Sequence, residues 1–302
     1  MAGHPQHSEH ALLPVLAAAA AIALLSWMDA FMKSAALAVG AYSALLLRAP
    51  IGFALTAPAW RLTGGRWPAR ATLRLHVVRG IVMAAMAFLF FFSLTVLPLA
   101  QAIAISFIAP LIALFLASVL LGERVRRRAI AGAVLGLGGV GVILAGKIWR
   151  ESMGDGAAMG IAAVLASALL YAWNLVLQRQ QALVARPLEV AVFQNAVTFL
   201  ALAAFAPFFL TIPQPAQWSD IAISAVLSVS GAILFTWGYA RAETQRLAPL
   251  EYTGFLWAAL FGWLYFGEAV TGATTAGAVL IVAGCWLATS DKPARTEQSA
   301  TL

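Results

Sequence analysis

The sequence predicts an all-α membrane protein of ten transmembrane helices, arranged as two inverted five-helix repeats with both termini in the cytoplasm. Three observations carry that prediction. The 302 residues are 62% hydrophobic and 10% charged, whereas soluble domains average roughly 25% charged. One stretch is stated twice: Ala131-Gly132-Ala133-Val134-Leu135 returns letter for letter as Ala276-Gly277-Ala278-Val279-Leu280. The basic residues also gather on alternate loops.

The composition excludes soluble classes first. So much apolar surface lacks a polar shell to enclose it, so the solvent must be lipid. A net charge of +7 would suggest nucleic acid in a soluble chain, but here the basic residues sit in short loops, as the positive-inside effect requires. No nucleic-acid partner is expected. The single cysteine, Cys285, cannot form an internal disulfide and reads as a small buried apolar residue. Residues 1–10 carry no Lys or Arg, so the segment after them reads as a retained first span rather than a signal peptide.

Spanning a bilayer takes about 20 apolar residues. Ten segments reach that length, at about 11–31, 35–59, 75–96, 99–121, 128–146, 157–178, 187–210, 219–240, 247–266 and 272–289. They must be helical, because barrel strands would alternate polar and apolar over about ten residues. Turn signals separate them at Gly64-Gly65, Trp67-Pro68, Gly154-Asp155-Gly156, Pro213 and Pro215. The short links at Leu97-Pro98 and Ala269-Val270-Thr271 make their neighbours antiparallel hairpins. The expected organisation is a tail at 1–10, a first repeat at 11–146, a periplasmic linker at 147–156, a second repeat at 157–289 and a tail at 290–302.

With both termini inside, the inner loops hold Arg61, Arg66, Arg70, Arg74, Arg124, Arg126, Arg127, Arg128, Arg179, Arg186, Arg241, Arg246, Lys292 and Arg295. Only Lys33, Lys147 and Arg150 fall outside. Fourteen against three sets the orientation.

The offset of the repeated pentapeptide also carries Gly122-Glu123 onto Gly267-Glu268, Asp29 onto Asn174, Leu25 onto Leu170, Phe90 onto Phe235 and Gly139 onto Gly284. Five spans per copy is an odd number, so the second copy enters upside down. The loop charges agree. Glu123–Arg128 carries four arginines, and its equivalent Glu268–Gly272 carries none. Val96–Gln101 is bare, while its equivalent around Ala240–Arg246 has Arg241 and Arg246. Inverted repeats are typical of secondary transporters, with the site near the midplane between the copies.

Two five-span halves, each with a Gly-Glu before a Gly-rich last helix (Leu121-Gly122-Glu123-Arg124 and Phe266-Gly267-Glu268), resemble the drug/metabolite transporter superfamily in its EamA-type ten-span branch. The resemblance spans about 11–289. It implies export of small metabolites such as amino acids across the bacterial inner membrane. With its many aromatics, the chain is most similar to the family's aromatic amino acid exporters.

Polar groups inside spans are costly and therefore candidates for function. Asp29, beside Met28 and Trp27, and its repeat mate Asn174, beside Trp173, could face one cavity from two sides or pair in helix packing. Lys33 lies one turn beyond Asp29, where it could pair with it. Arg48 and Arg79 could grip a substrate carboxylate with two hydrogen bonds each, although Arg79 is close enough to the inner surface to snorkel. His76, shallower still, is expected at the interface. Glu251 is a candidate for a substrate ammonium or for proton coupling, or a partner for a bundle arginine. Gln101, Ser106, Gln194 and Asn195 are weaker polar candidates. Glu123 and Glu268 read as structural groups at helix ends.

An aromatic substrate needs an apolar pocket with a few convergent polar groups. Trp27, Phe92, Phe107, Tyr171, Trp173, Trp237, Tyr239, Tyr252 and Trp257 stand near such groups, although any one aromatic could equally face lipid.

Other chemistries find no support. Gly136-Leu137-Gly138-Gly139-Val140-Gly141 matches GxGxxG, but it lies within an apolar span rather than after a strand. There Gly132 and Gly136 read as a GxxxG helix contact. No phosphate-binding P-loop and no metal cluster is present in the sequence, and no cofactor or enzymatic activity is expected. The partners implied are a small-molecule substrate and the lipid bilayer, with a homodimer allowed. Rival readings are a broad amphipathic drug or metabolite efflux carrier, a passive channel or lipid scramblase, and a membrane-embedded enzyme.

Overall fold

The computed structural model describes residues 6–109, 112, 127–150, 156–239 and 250–289. Every regular element among them is a helix: α1 Gln6–Leu62, α2 Arg70–Leu94, α3 Leu99–Ser106, α4 Arg127–Arg150, α5 Ala157–Ala182, α6 Pro187–Ala203, α7 Ala206–Phe209, α8 Pro215–Tyr239, α9 Gly254–Phe266 and α10 Gly272–Thr289. Four described stretches are long and apolar enough to cross a membrane: Leu13–Leu62, Arg70–Leu94, Ala157–Gln178 and Pro215–Gly238. The shorter apolar helices include Pro187–Ala203, Gly254–Phe266 and Gly272–Gly284. The rest of the fourth expected span, the Gly122-Glu123 loop and the Arg241/Arg246 loop lie outside the described residues.

α1 is two helices joined at Gly40, whose φ of 83° and ψ of 149° are non-helical. Residues twenty apart in one helix are separated by about 30 Å, yet Arg48 Nη1 reaches Met28 Sδ at 3.1 Å. The chain therefore folds back here. The sequence placed this turn near 32–34; the structure places it at Gly40, where a positive φ is open to glycine without strain. Lys33 is accordingly no loop residue. It lies inside the first arm, 3% exposed.

Three antiparallel contacts organise the bundle. The first arm of α1 runs along α8, with Ser34 on Asp220, Ser224 on Met32, Leu25 over Gly231 and Pro14 over Gly238. α2 runs along α5, with Arg79 on Asn174, Ser167 on Met86 and Val96 over Gly160. Under the repeat offset these two interfaces become each other, in register to within about two turns. α4 lies on α10 through glycines. A Cβ on Gly284 would meet the Gly132 carbonyl oxygen at 2.5 Å, and one on Gly139 would meet that of Gly277 at 2.6 Å. Gly132 thus packs closely, as its GxxxG spacing predicts.

The core joins Met32, Leu45, Leu94, Leu97, Leu99, Ile105, Ile143, Val164, Ile221 and Ile281. It draws on both copies of the repeat.

Candidate functional site

Asp29 projects from the first arm of α1, half-buried. Arg48, on the returning arm, is its charged neighbour. They do not touch: among the described residues the ion pairs within 4.0 Å are Lys33–Glu268 and His76–Glu189. Arg48 instead lies over the Phe91 ring, 5.5 Å from its centre. Among the described residues no fully enclosed side-chain oxygen or nitrogen lacks a partner, and no hydrogen bond among them holds the Asp29 carboxylate.

Arg79 is 7% exposed. Its Nε donates to Asn174 Oδ1 at 2.9 Å and its Nη1 to Gln181 Oε1. No carboxylate neutralises it among the described residues. Tyr171, three residues before Asn174 on α5, lies within electrostatic reach of Arg79 and of Glu251. Asp29 and Asn174 thus sit near different arginines, Arg48 and Arg79.

His76 is enclosed by protein. It is 1% exposed and stacked on Phe193 at 4.8 Å. Its Nε2 meets Glu189 Oε1 at 3.0 Å and its Nδ1 meets Gln181 Nε2 at 2.5 Å. Burial is sustained because both ring nitrogens are partnered. Gln181 and Glu189 are not among the sequence candidates; they stand beside the loop that joins α5 to α6, where polar residues are ordinary.

Lys33 pairs with Glu268, not with Asp29. It also donates to the Leu97 carbonyl at 2.8 Å, while Glu268 Oε2 accepts from the Leu99 amide at 2.8 Å. Three segments of the chain meet there: α1, the α2–α3 link and the α9–α10 link.

The aromatics divide by location. Trp27 is exposed, hydrogen-bonded through Nε1 to Tyr265 at 2.8 Å and stacked on Phe261. Trp257 also stacks on Phe261 and borders an apolar depression of about 400 Å³ with Ala19, Thr253, Leu256 and Leu260. Phe107 meets Tyr252 edge-on at 5.3 Å, bringing α9 against the end of α3. Phe92 stacks on Phe88. Gln101 is buried, whereas Trp173 and Trp237 are exposed. The Tyr239 side chain lies outside the described residues. No group of His, Cys, Asp and Glu able to hold a metal occurs among the described residues.

The EamA-like transporter family model matches residues 12–145 and again 158–290. The chain belongs to the EamA-like transporter family. It is therefore a member of a multi-pass membrane transporter family, built from two EamA repeats, with a small-molecule substrate. A pseudopaline exporter of Pseudomonas aeruginosa is 27% identical over 274 residues, 90% of this chain and 94% of that protein. An aromatic amino acid exporter of Ancylobacter novellus is 28% identical over 209 residues, 67% of this chain and 71% of that protein. A solved crystal structure is 26% identical with a TM-score of 0.63, covering 92% of this EamA-like chain and 96% of its own.

Proposed function

We propose that this transporter exports amino acids, aromatic ones first, and related small metabolites across the bacterial inner membrane by alternating access. Ten spans in two inverted repeats, with both termini cytoplasmic, enclose a central cavity in this reading. The glycine contacts between α4 and α10, which exchange under the repeat offset, support the inversion.

One observation supports the substrate class most. An apolar bundle holds a carboxylate, Asp29, and two guanidinium groups, Arg48 and Arg79, with no ion pair among them. Charges are retained inside a membrane at a cost of several kcal/mol. A zwitterion supplies both missing charges: its ammonium suits Asp29, and its carboxylate suits Arg79 or Arg48. Phe107, Tyr171 and Tyr252 would flank its side chain. The matched aromatic amino acid exporter favours the same class.

The test is uptake of labelled phenylalanine, tryptophan and tyrosine into proteoliposomes, with and without unlabelled substrate inside. Saturable uptake accelerated by internal substrate supports a carrier. Conductance without counterflow would favour a channel, and no uptake of any amino acid would remove this substrate class. The second reading, efflux of other metabolites, is favoured by the pseudopaline exporter, which matches more of the chain than the amino acid exporter does.

A further inference from the structure

Four side chains from α2, α5 and α6 form one directed hydrogen-bond chain. Arginine can only donate and a carboxylate can only accept, so the two ends fix everything between them. Arg79 Nη1 donates, so the atom of Gln181 facing it is oxygen, and the amide nitrogen faces His76. Gln181 Nε2 donates to His76 Nδ1, leaving the imidazole neutral with its proton on Nε2. That proton is given to Glu189 Oε1. The direction runs from Arg79 to Glu189 without a conflict.

Only one amide separates the titratable ring from the arginine. We propose that His76 is a proton-binding site that controls Arg79: adding a proton to His76 releases the Arg79 guanidinium from Gln181. The proton adds at Nδ1, and the Nε2–H bond to Glu189 stays. Nδ1 then donates, so the Gln181 amide must turn over to present its oxygen. The same turn aims its N–H groups at Arg79, donor against donor. Arg79 keeps Asn174 and is freed at Nη1 to take a carboxylate.

The surroundings suit the role. Imidazole is the side chain whose charge changes between about pH 5 and 8. The charged groups facing it are Glu189 from α6 and, one amide further, Arg79 from its own helix. α5 contributes the amides of Gln181 and Asn174, with the Tyr171 phenol beyond Arg79. From α1 the approach is through Trp60, edge-on to Phe193 at 5.9 Å. Glu189 lies in the first turn of α6 and keeps 15% of its side chain exposed, which gives protons a route from the loop side.

The proposal rests on Arg79 as the substrate's carboxylate partner for its functional meaning, but the latch is measurable without substrate. The full chain with His4, His7 and His10 replaced by Ala retains a single histidine. In lipid nanodiscs, with histidine and arginine labelled with nitrogen-15, the spectrum above neutral pH should show the Nε2–H tautomer. Lowering the pH should shift one arginine signal, absent in Arg79→Lys, with the same midpoint as the ring. In Gln181→Leu the ring should still titrate while Arg79 no longer follows. An Nδ1–H tautomer, or an Arg79 signal indifferent to His76 in the Gln181 protein, overturns the latch. Intact coupling without amino acid uptake would keep the latch and reject the amino acid reading of Arg79.

Discussion

Gly284 rests on the backbone of Gly132: a Cβ on the former would stand 2.5 Å from the carbonyl oxygen of the latter. The partner contact, Gly139 against Gly277, is the same pair moved by the repeat offset. Two antiparallel helices in mutual contact through exchanged positions have a two-fold axis across them, the geometry expected of one copy turned over against the other. Gly284→Ala should therefore cost about 1–3 kcal/mol, because backbone cannot yield as a flexible side chain does. Gly138→Ala meets nothing within 4 Å and should be neutral or slightly stabilising, since alanine favours helix by up to about 1 kcal/mol. Thermal denaturation of the purified variants in detergent decides. Equal melting temperatures would mean that α4 and α10 do not pack this closely.

The Lys33–Glu268 pair should behave as a buried ion pair, with side chains 4% and 18% exposed. Removing one partner strands the other, which typically costs about 3–5 kcal/mol. Lys33→Met and Glu268→Gln should each destabilise strongly, while the double variant should cost clearly less than their sum. Unfolding in mixed micelles measures all three. Simple additivity would show that the two charges are not coupled.

The helices and their family were legible because lipid demands long apolar runs and duplication leaves letters behind. The turn was not. Ala41 follows Gly40 in an unbroken apolar run, whereas Lys33-Ser34 is the polar break a reader takes for a loop. Lys33 misled because its partner, Glu268, lies 235 positions away. His76 hid its surroundings in the same way: a histidine near a span end gives no sign that Gln181 and Glu189 arrive from other helices. Arg79 and Asn174 were legible as buried polar groups, but their contact was not. Long-range pairing is what a single sequence conceals.

The orientation has a direct test. In a Cys285→Ser background, Thr63→Cys samples the α1–α2 turn and Gln214→Cys the link before α8, both exposed. These sites are nearly equivalent in the two copies. A membrane-impermeant maleimide should label Gln214→Cys in intact spheroplasts and Thr63→Cys only after lysis. Labelling of both from the same side would sink the inverted arrangement.

Separate tasks for Asp29 and Arg79 predict separate substrate losses. A charged hydrogen bond contributes about 1.5–3 kcal/mol, and each 1.4 kcal/mol is about tenfold. Asp29→Asn should thus lower kcat/KM for phenylalanine by roughly tenfold to a hundredfold. Phenylpropionate, which has no ammonium, should compete in that variant as well as in the parent. Arg79→Gln should reverse the pattern, weakening phenylalanine and phenylpropionate while sparing phenylethylamine. Competition against labelled phenylalanine in proteoliposomes reads both variants. If each loses all three compounds alike, the two side chains serve the bundle's structure and the zwitterion site must be sought elsewhere.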